Sequence, residues 1–139
     1  MLFRSDFTAT KTWTKHKHSA LVGTGMEEWL RKQGIERLIV SGIRTEQCCE
    51  TTARVAADLG FAVTFVTEAT LTFGMTHADG TRFSAEEIKK RTELVLDGRF
   101  AQIKSVAQAS ATRCFQPPES VPAICSRRSR RRRRFRWCS

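Results

Sequence analysis

No stretch of this 139-residue chain approaches the roughly 18 consecutive apolar residues of a membrane span, and its opening MLFRSDFTATKTW lacks the apolar run of a signal peptide. These absences argue against a membrane partner and for a soluble cytoplasmic protein. Nor is there an internal repeat. Of five cysteines, Cys48 and Cys49 are adjacent and the other three lie beyond residue 110. An odd number so placed does not make the paired framework of a small secreted domain, and reduced thiols are expected. Proline is confined to Pro117, Pro118 and Pro122, where the chain changes character.

Charge is distributed just as unevenly. The formal net charge is +10, but residues 111–139 hold nine of the 24 basic residues and a single acid, Glu119. That leaves 15 basic and 13 acidic residues for the first 110, a balance of +2. The body is near neutral and the basicity belongs to a tail.

The body suits one domain, 1–110, of alternating strands and helices. In TGMEEWLRKQG, Thr24 and Glu27 have capping-box spacing, Met26, Trp29 and Leu30 share a face, and Gly34 can end the helix. RLIVSG reads as a strand buried on both faces. TEQCCETTARVAADL follows as a helix with Thr45 as N-cap, then FAVTFVT as a strand; strand, helix, strand with tight links is the unit of a parallel sheet. The segment EATLTFGMTHADGTRF has the length of a functional loop. SAEEIKKRTELVLDG carries a second capping box, Ser84 and Glu87, and Gly98 stops it. Residues 102–107 are expected to form a last short strand, and Phe7 to Thr14 an early one. The expected fold class is α/β, a three-layer parallel-sheet, Rossmann-like domain.

From about Ala111, RCFQPPESVPAICSRRSRRRRRFRWCS has neither helical nor strand period and is expected to be disordered. Two readings are open: an arginine-rich tail for nucleic acid or an acidic partner, or out-of-frame sequence that was never selected.

Cys48 falls in the first turn of its helix, after a strand of a parallel sheet, where ligands gather and where amide donors lack helical partners. The positive end of the helix favours a thiolate there. Cys49 lies about 100° further round, suited to packing against the sheet. Position alone leaves a structural role open for both.

GIRTEQCCETTARVAADLGFAVTFVTEAT resembles the signature of the isochorismatase-like cysteine hydrolases: a strand, then G-x-x-T-x-x-C opening a helix that closes on D-L-G. Gly42, Thr45 and Cys48 occupy the motif positions. KHKHSALVGTG is similar to the family's preceding segment, with Lys15, Ser19, Ala20, Gly23 and Thr24 matching and Leu21 where phenylalanine is common. The resemblance covers roughly residues 7–110. It implies hydrolysis of a C–N bond in a small-molecule amide by a Cys, Lys and Asp triad through a thioester, with Cys48 as nucleophile and Lys15 stabilising charge near the sulfur. It also implies a cis peptide between Ile43 and Arg44 that turns the amides of Arg44 and Cys48 into an oxyanion hole. Neither a cofactor nor a metal is expected; a homo-oligomer is.

Three departures stand against that pattern. The family's aspartate ends an apolar strand near the N-terminus, and here Asp6 is the only acid before Lys15, after no such strand. The domain thus reads as incomplete, and a catalytically inactive homologue or a binding protein with a nucleic-acid-binding tail is the alternative function. The break near Ala111 is the second departure. Arg44 stands where a small residue is frequent; it could hold a substrate carboxylate or simply be solvated. His77, with Asp79, could line the pocket or form a polar turn around Gly80. His16 and His18 fit a metal pair or a solvated basic strand, the family's metal ligands lying in a region this chain lacks.

Overall fold

The computed structural model describes residues 9–111. Asp6 lies outside the described residues, as does the arginine-rich segment after Ala111. Helix α1 spans Met26–Lys32, strand β1 Arg37–Ile43, helix α2 Glu50–Asp58 and strand β2 Ala62–Leu71. A short hairpin, β3 (Met75–Thr76) and β4 (Arg82–Phe83), leads to helix α3, Ala85–Leu96, then strand β5, Gln102–Ile103, and helix α4, Val106–Ala111. β1, β2 and β5 form a parallel sheet in the order β1-β2-β5, flanked by the helices, so the fold class is α/β. No helix among the described residues is long and apolar enough to cross a membrane.

β2 is the central strand, and its consecutive residues Phe65, Val66 and Thr67 are all buried, which requires cover on both faces of the sheet. β1 lies at the edge among the described strands. The expectation that RLIVSG is buried on both faces is therefore corrected: Val40 is buried, but Ile39 is 57% exposed. Edge position rather than composition decides this. The core gathers Leu21, Leu30, Val40, Cys49, Ala53, Ala56, Phe61, Val63, Phe65, Leu96 and Ala101. Fully buried side chains such as Phe65 and Leu96 contribute about 1.5–3 kcal/mol each by leaving water.

Several local expectations are corrected. α1 starts on Gly25, which takes the N-cap place at φ 72°. Thr24 Oγ1 instead accepts from the Met26 amide, and Glu27 pairs with Arg31, so no Thr24–Glu27 box forms. The box of Ser84 and Glu87 does form at the start of α3. β2 runs to Leu71, taking the first part of the expected loop, because its end pairs with Gly42 and Ile43. β5 is two residues long and the chain from Val106 turns helical. Residues 9–14 form no strand. They run past α1, with Trp13 packed edge-to-face on Trp29 at 5.1 Å and Lys11 over both rings.

Candidate active site

Between β1 and α2 the backbone changes direction within a few residues. Gly42 has φ 122°, a conformation side-chain-bearing residues rarely adopt, and a Cβ there would sit 3.9 Å from Cys49 Sγ. The Ile43–Arg44 peptide is cis. Thr45–Cys49 then form a π-helical turn, closed by the Cys49 amide donating to the Arg44 carbonyl at 3.1 Å. The reading of Thr45 as an N-cap is corrected, since Arg44 holds that place. Thr45 is fully buried and its hydroxyl donates to Thr70 Oγ1 at 2.9 Å, which in turn donates to the Thr67 carbonyl at 2.8 Å. Glu46 Oε2 accepts from Thr72 Oγ1 at 2.6 Å. The motif's threonine and its neighbour thus tie the turn to the far end of β2.

The two cysteines of this turn face different surroundings. Cys49 is 4% exposed and belongs to the core. Burial pushes its thiol up to about 11, the Cys48 and Glu46 charges add to this, and Lys15 opposes it. Cys49 is therefore a protonated packing residue at neutral pH. Cys48 is half-buried, and Lys15 Nζ donates to its sulfur at 3.2 Å. The same ammonium donates to the carbonyls of Lys17 at 3.0 Å and His18 at 3.3 Å. Its three protons are all engaged, which fixes the cation beside the sulfur. His18 Nδ1 lies 3.9 Å from Cys48 Sγ. The segment bearing both residues is anchored by the Ala20 amide donating to Thr52 Oγ1 of α2 at 3.0 Å, and by buried Ser19 and Leu21.

The remaining candidates fall elsewhere. Arg44 is about a third exposed; its Nε faces Glu46 Oε1 at 3.4 Å and its guanidinium lies over Phe73 at 5.5 Å, so it is not a simply solvated residue. His77 belongs to the β3–β4 turn, paired with Asp79 at 3.1 Å and exposed. Hydrogen bonds from Thr81 hold the Asp79 carboxyl below the usual range. None of these bonds reaches Cys48. His16 is exposed, and no group of three or more His, Cys, Asp or Glu among the described residues is placed to hold a metal ion. A cleft of about 690 Å³ lies at the opposite end of the strands, lined by Arg37, Ala62 and Gln102 among others, and includes none of the Cys48 group.

Two features escaped the sequence reading. One is the approach of His18 to the sulfur, which the KHKH pattern hid by looking like a solvated basic stretch. The other is Glu50, a buried carboxylate. Its Oε1 accepts from Arg54 Nε and Nη2 at 3.1 and 2.9 Å, and its Oε2 from Arg91 Nη1 and Thr92 Oγ1. The i,i+4 spacing of Glu50 and Arg54 was the available signal.

An isochorismatase domain model matches residues 4–99. The chain belongs to the isochorismatase family. The isochorismatase-family protein YrdC of Bacillus subtilis, described as uncharacterized, is 33% identical over 95 residues, 68% of this chain and 51% of that protein. Nicotinamidase 3 of Arabidopsis thaliana is 49% identical over 59 residues, 42% of this chain and 30% of the relative. The crystal structure of an isochorismatase-family protein from Chromobacterium violaceum superposes with a TM-score of 0.69 at 36% identity, covering 71% of this chain and 51% of the other. The isochorismatase-family chain thus spans about half the length, or less, of these relatives.

Proposed function

We propose that this isochorismatase-family chain is a cysteine hydrolase that cleaves a C–N bond of a small amide. Cys48 attacks the carbonyl carbon, the oxyanion is held by the backbone amides of Arg44 and Cys48, and collapse expels the amine to leave a thioester that water hydrolyses. Lys15, as a fixed cation, balances charge that develops on and beside the sulfur. The observation that carries the reading is the 3.2 Å contact of Lys15 Nζ with Cys48 Sγ at a helix start following a parallel strand. The amide as substrate class is supported by the relative named Nicotinamidase 3, 49% identical over 59 residues.

The test is labelling by an electrophilic amide-type probe, read by peptide mass. Cys48 is labelled, Cys49 is not, and Lys15→Ala loses the label. Equal labelling of the two cysteines would sink the nucleophile assignment. One observation favours a second reading, a non-catalytic binding protein: among the described residues no carboxylate is hydrogen-bonded to the Cys48 sulfur. In that case the arginine-rich segment 111–139 would supply the partner contact, through nucleic acid phosphates.

A further inference from the structure

A thiol that attacks an amide needs a group that takes its proton and returns it to the departing nitrogen, because an amine leaves poorly as an anion. Lys15 cannot fill that place as it stands. Its three protons are donated to two carbonyls and the sulfur, and an ammonium has no lone pair to accept another. Of the nearby carboxylates, Glu50 is committed to Arg54, Arg91 and Thr92, while Glu46 accepts from Thr72 through Oε2 and faces Arg44 in an ion pair through a buried Oε1; neither is hydrogen-bonded to the sulfur. His18 differs. Its imidazole is exposed, its one side-chain hydrogen-bond partner among the described residues is Cys48 Sγ, and its carbonyl is held by the ammonium that also holds that sulfur.

We propose that His18 is the proton carrier of this site, an assignment that rests on the nucleophile reading of Cys48. In the tautomer with hydrogen on Nε2, Nδ1 accepts the thiol proton as the S–C bond forms and the carbonyl π pair moves to oxygen. Collapse re-forms C=O and breaks C–N, and the proton passes from Nδ1 to the leaving nitrogen. Water then attacks the thioester and gives its proton to Nδ1; C–S breaks and the proton returns to sulfur. One amide and one water become one acid and one amine, with the protein unchanged. The 3.9 Å separation is long, as base–nucleophile distances are in unliganded sites, and exposure lets the deacylating water reach the ring.

The experiment compares acylation of Cys48 by 4-nitrophenyl acetate, whose phenolate leaves without a proton, and by 4-nitroacetanilide, whose nitrogen needs one, both read by intact mass. With the full chain, His18→Ala slows anilide acylation by about 100-fold or more. Its ester acylation falls at least tenfold less, and added imidazole restores the anilide rate. Equal losses with both reagents, no loss, or no rescue overturns the assignment, as does the same split appearing in Asp6→Asn and not in His18→Ala. Wild-type protein acylated by the ester but not the anilide also overturns it, while leaving Cys48 as nucleophile. If neither reagent acylates Cys48, the nucleophile reading fails and His18 with it.

Discussion

Glu50 offers the sharpest test of how the helix behind Cys48 is held. Its side chain is 8% exposed and receives four hydrogen bonds, two from Arg54 in its own helix and two from Arg91 and Thr92 of α3. Glu50→Gln keeps the volume but removes the charge. The amide oxygen can serve one pair of donors, while its NH2 group faces the other pair and loses both bonds. A charge-assisted bond contributes about 1.5–3 kcal/mol and a neutral one about 1 kcal/mol. The cations are 34% and 57% exposed, so water recovers part of the lost attraction. The expected net loss is about 2 kcal/mol, or roughly 8–16 °C in melting temperature for a domain of this size. Urea unfolding at unchanged slope measures it, and a double-mutant cycle with Arg91→Met assigns it to the link between helices. A loss below about 0.5 kcal/mol, or a cycle without coupling, would refute the idea that this carboxylate clamps α2 to α3.

Cys49 gives a pH signature. An ordinary thiol ionises at 9.0 while folded Cys49 holds its proton to about 11, so the unfolded state loses its proton first. The stability present below pH 9 is therefore lost as pH rises through about 11, and the urea midpoint should fall more steeply in wild type than in Cys49→Ala; parallel curves would contradict the burial argument. Thr45→Val removes a buried donor to Thr70 at nearly constant shape and should cost about 1–2 kcal/mol by denaturant unfolding. A neutral outcome would show that the turn is held by packing alone. Residues 126–139 contain eight arginines. If they bind nucleic acid, log K should fall against log salt with a slope as steep as about −7, and deletion of the segment should abolish binding. A salt-independent affinity would exclude that role.

The alternation of strands and helices was legible because each element carries its own punctuation: Gly34, Gly60 and Gly98 at helix ends, and the Ser84–Glu87 box at a helix start. The boundaries that went wrong depend on partners distant in sequence. β2 extends to Leu71 because Gly42 and Ile43 pair with it, and no local pattern in EATL announces that. Ile39 looks like any core strand residue, yet it is exposed because β1 is an edge among the described strands. Thr45 has the composition of an N-cap but is drawn inside by a hydroxyl 25 residues away.

By itself the sequence determined which residues could carry chemistry here. Resemblance to the isochorismatase-like signature marked Gly42, Thr45 and Cys48 as one motif and Lys15 to Thr24 as another. Tertiary structure decided which of them meet. Local periodicity sets the two cysteines about 100° apart, and the packing of the turn against the core buries Cys49 while leaving Cys48 half-buried. Lys15 and His18 come within 3.2 and 3.9 Å of a sulfur some thirty residues away because Ala20, Ser19 and Leu21 pin their segment against α2 and the core. A long-range contact of that kind is closed by burial and hydrogen bonding summed over the whole fold, and the residues that benefit carry no local trace of it.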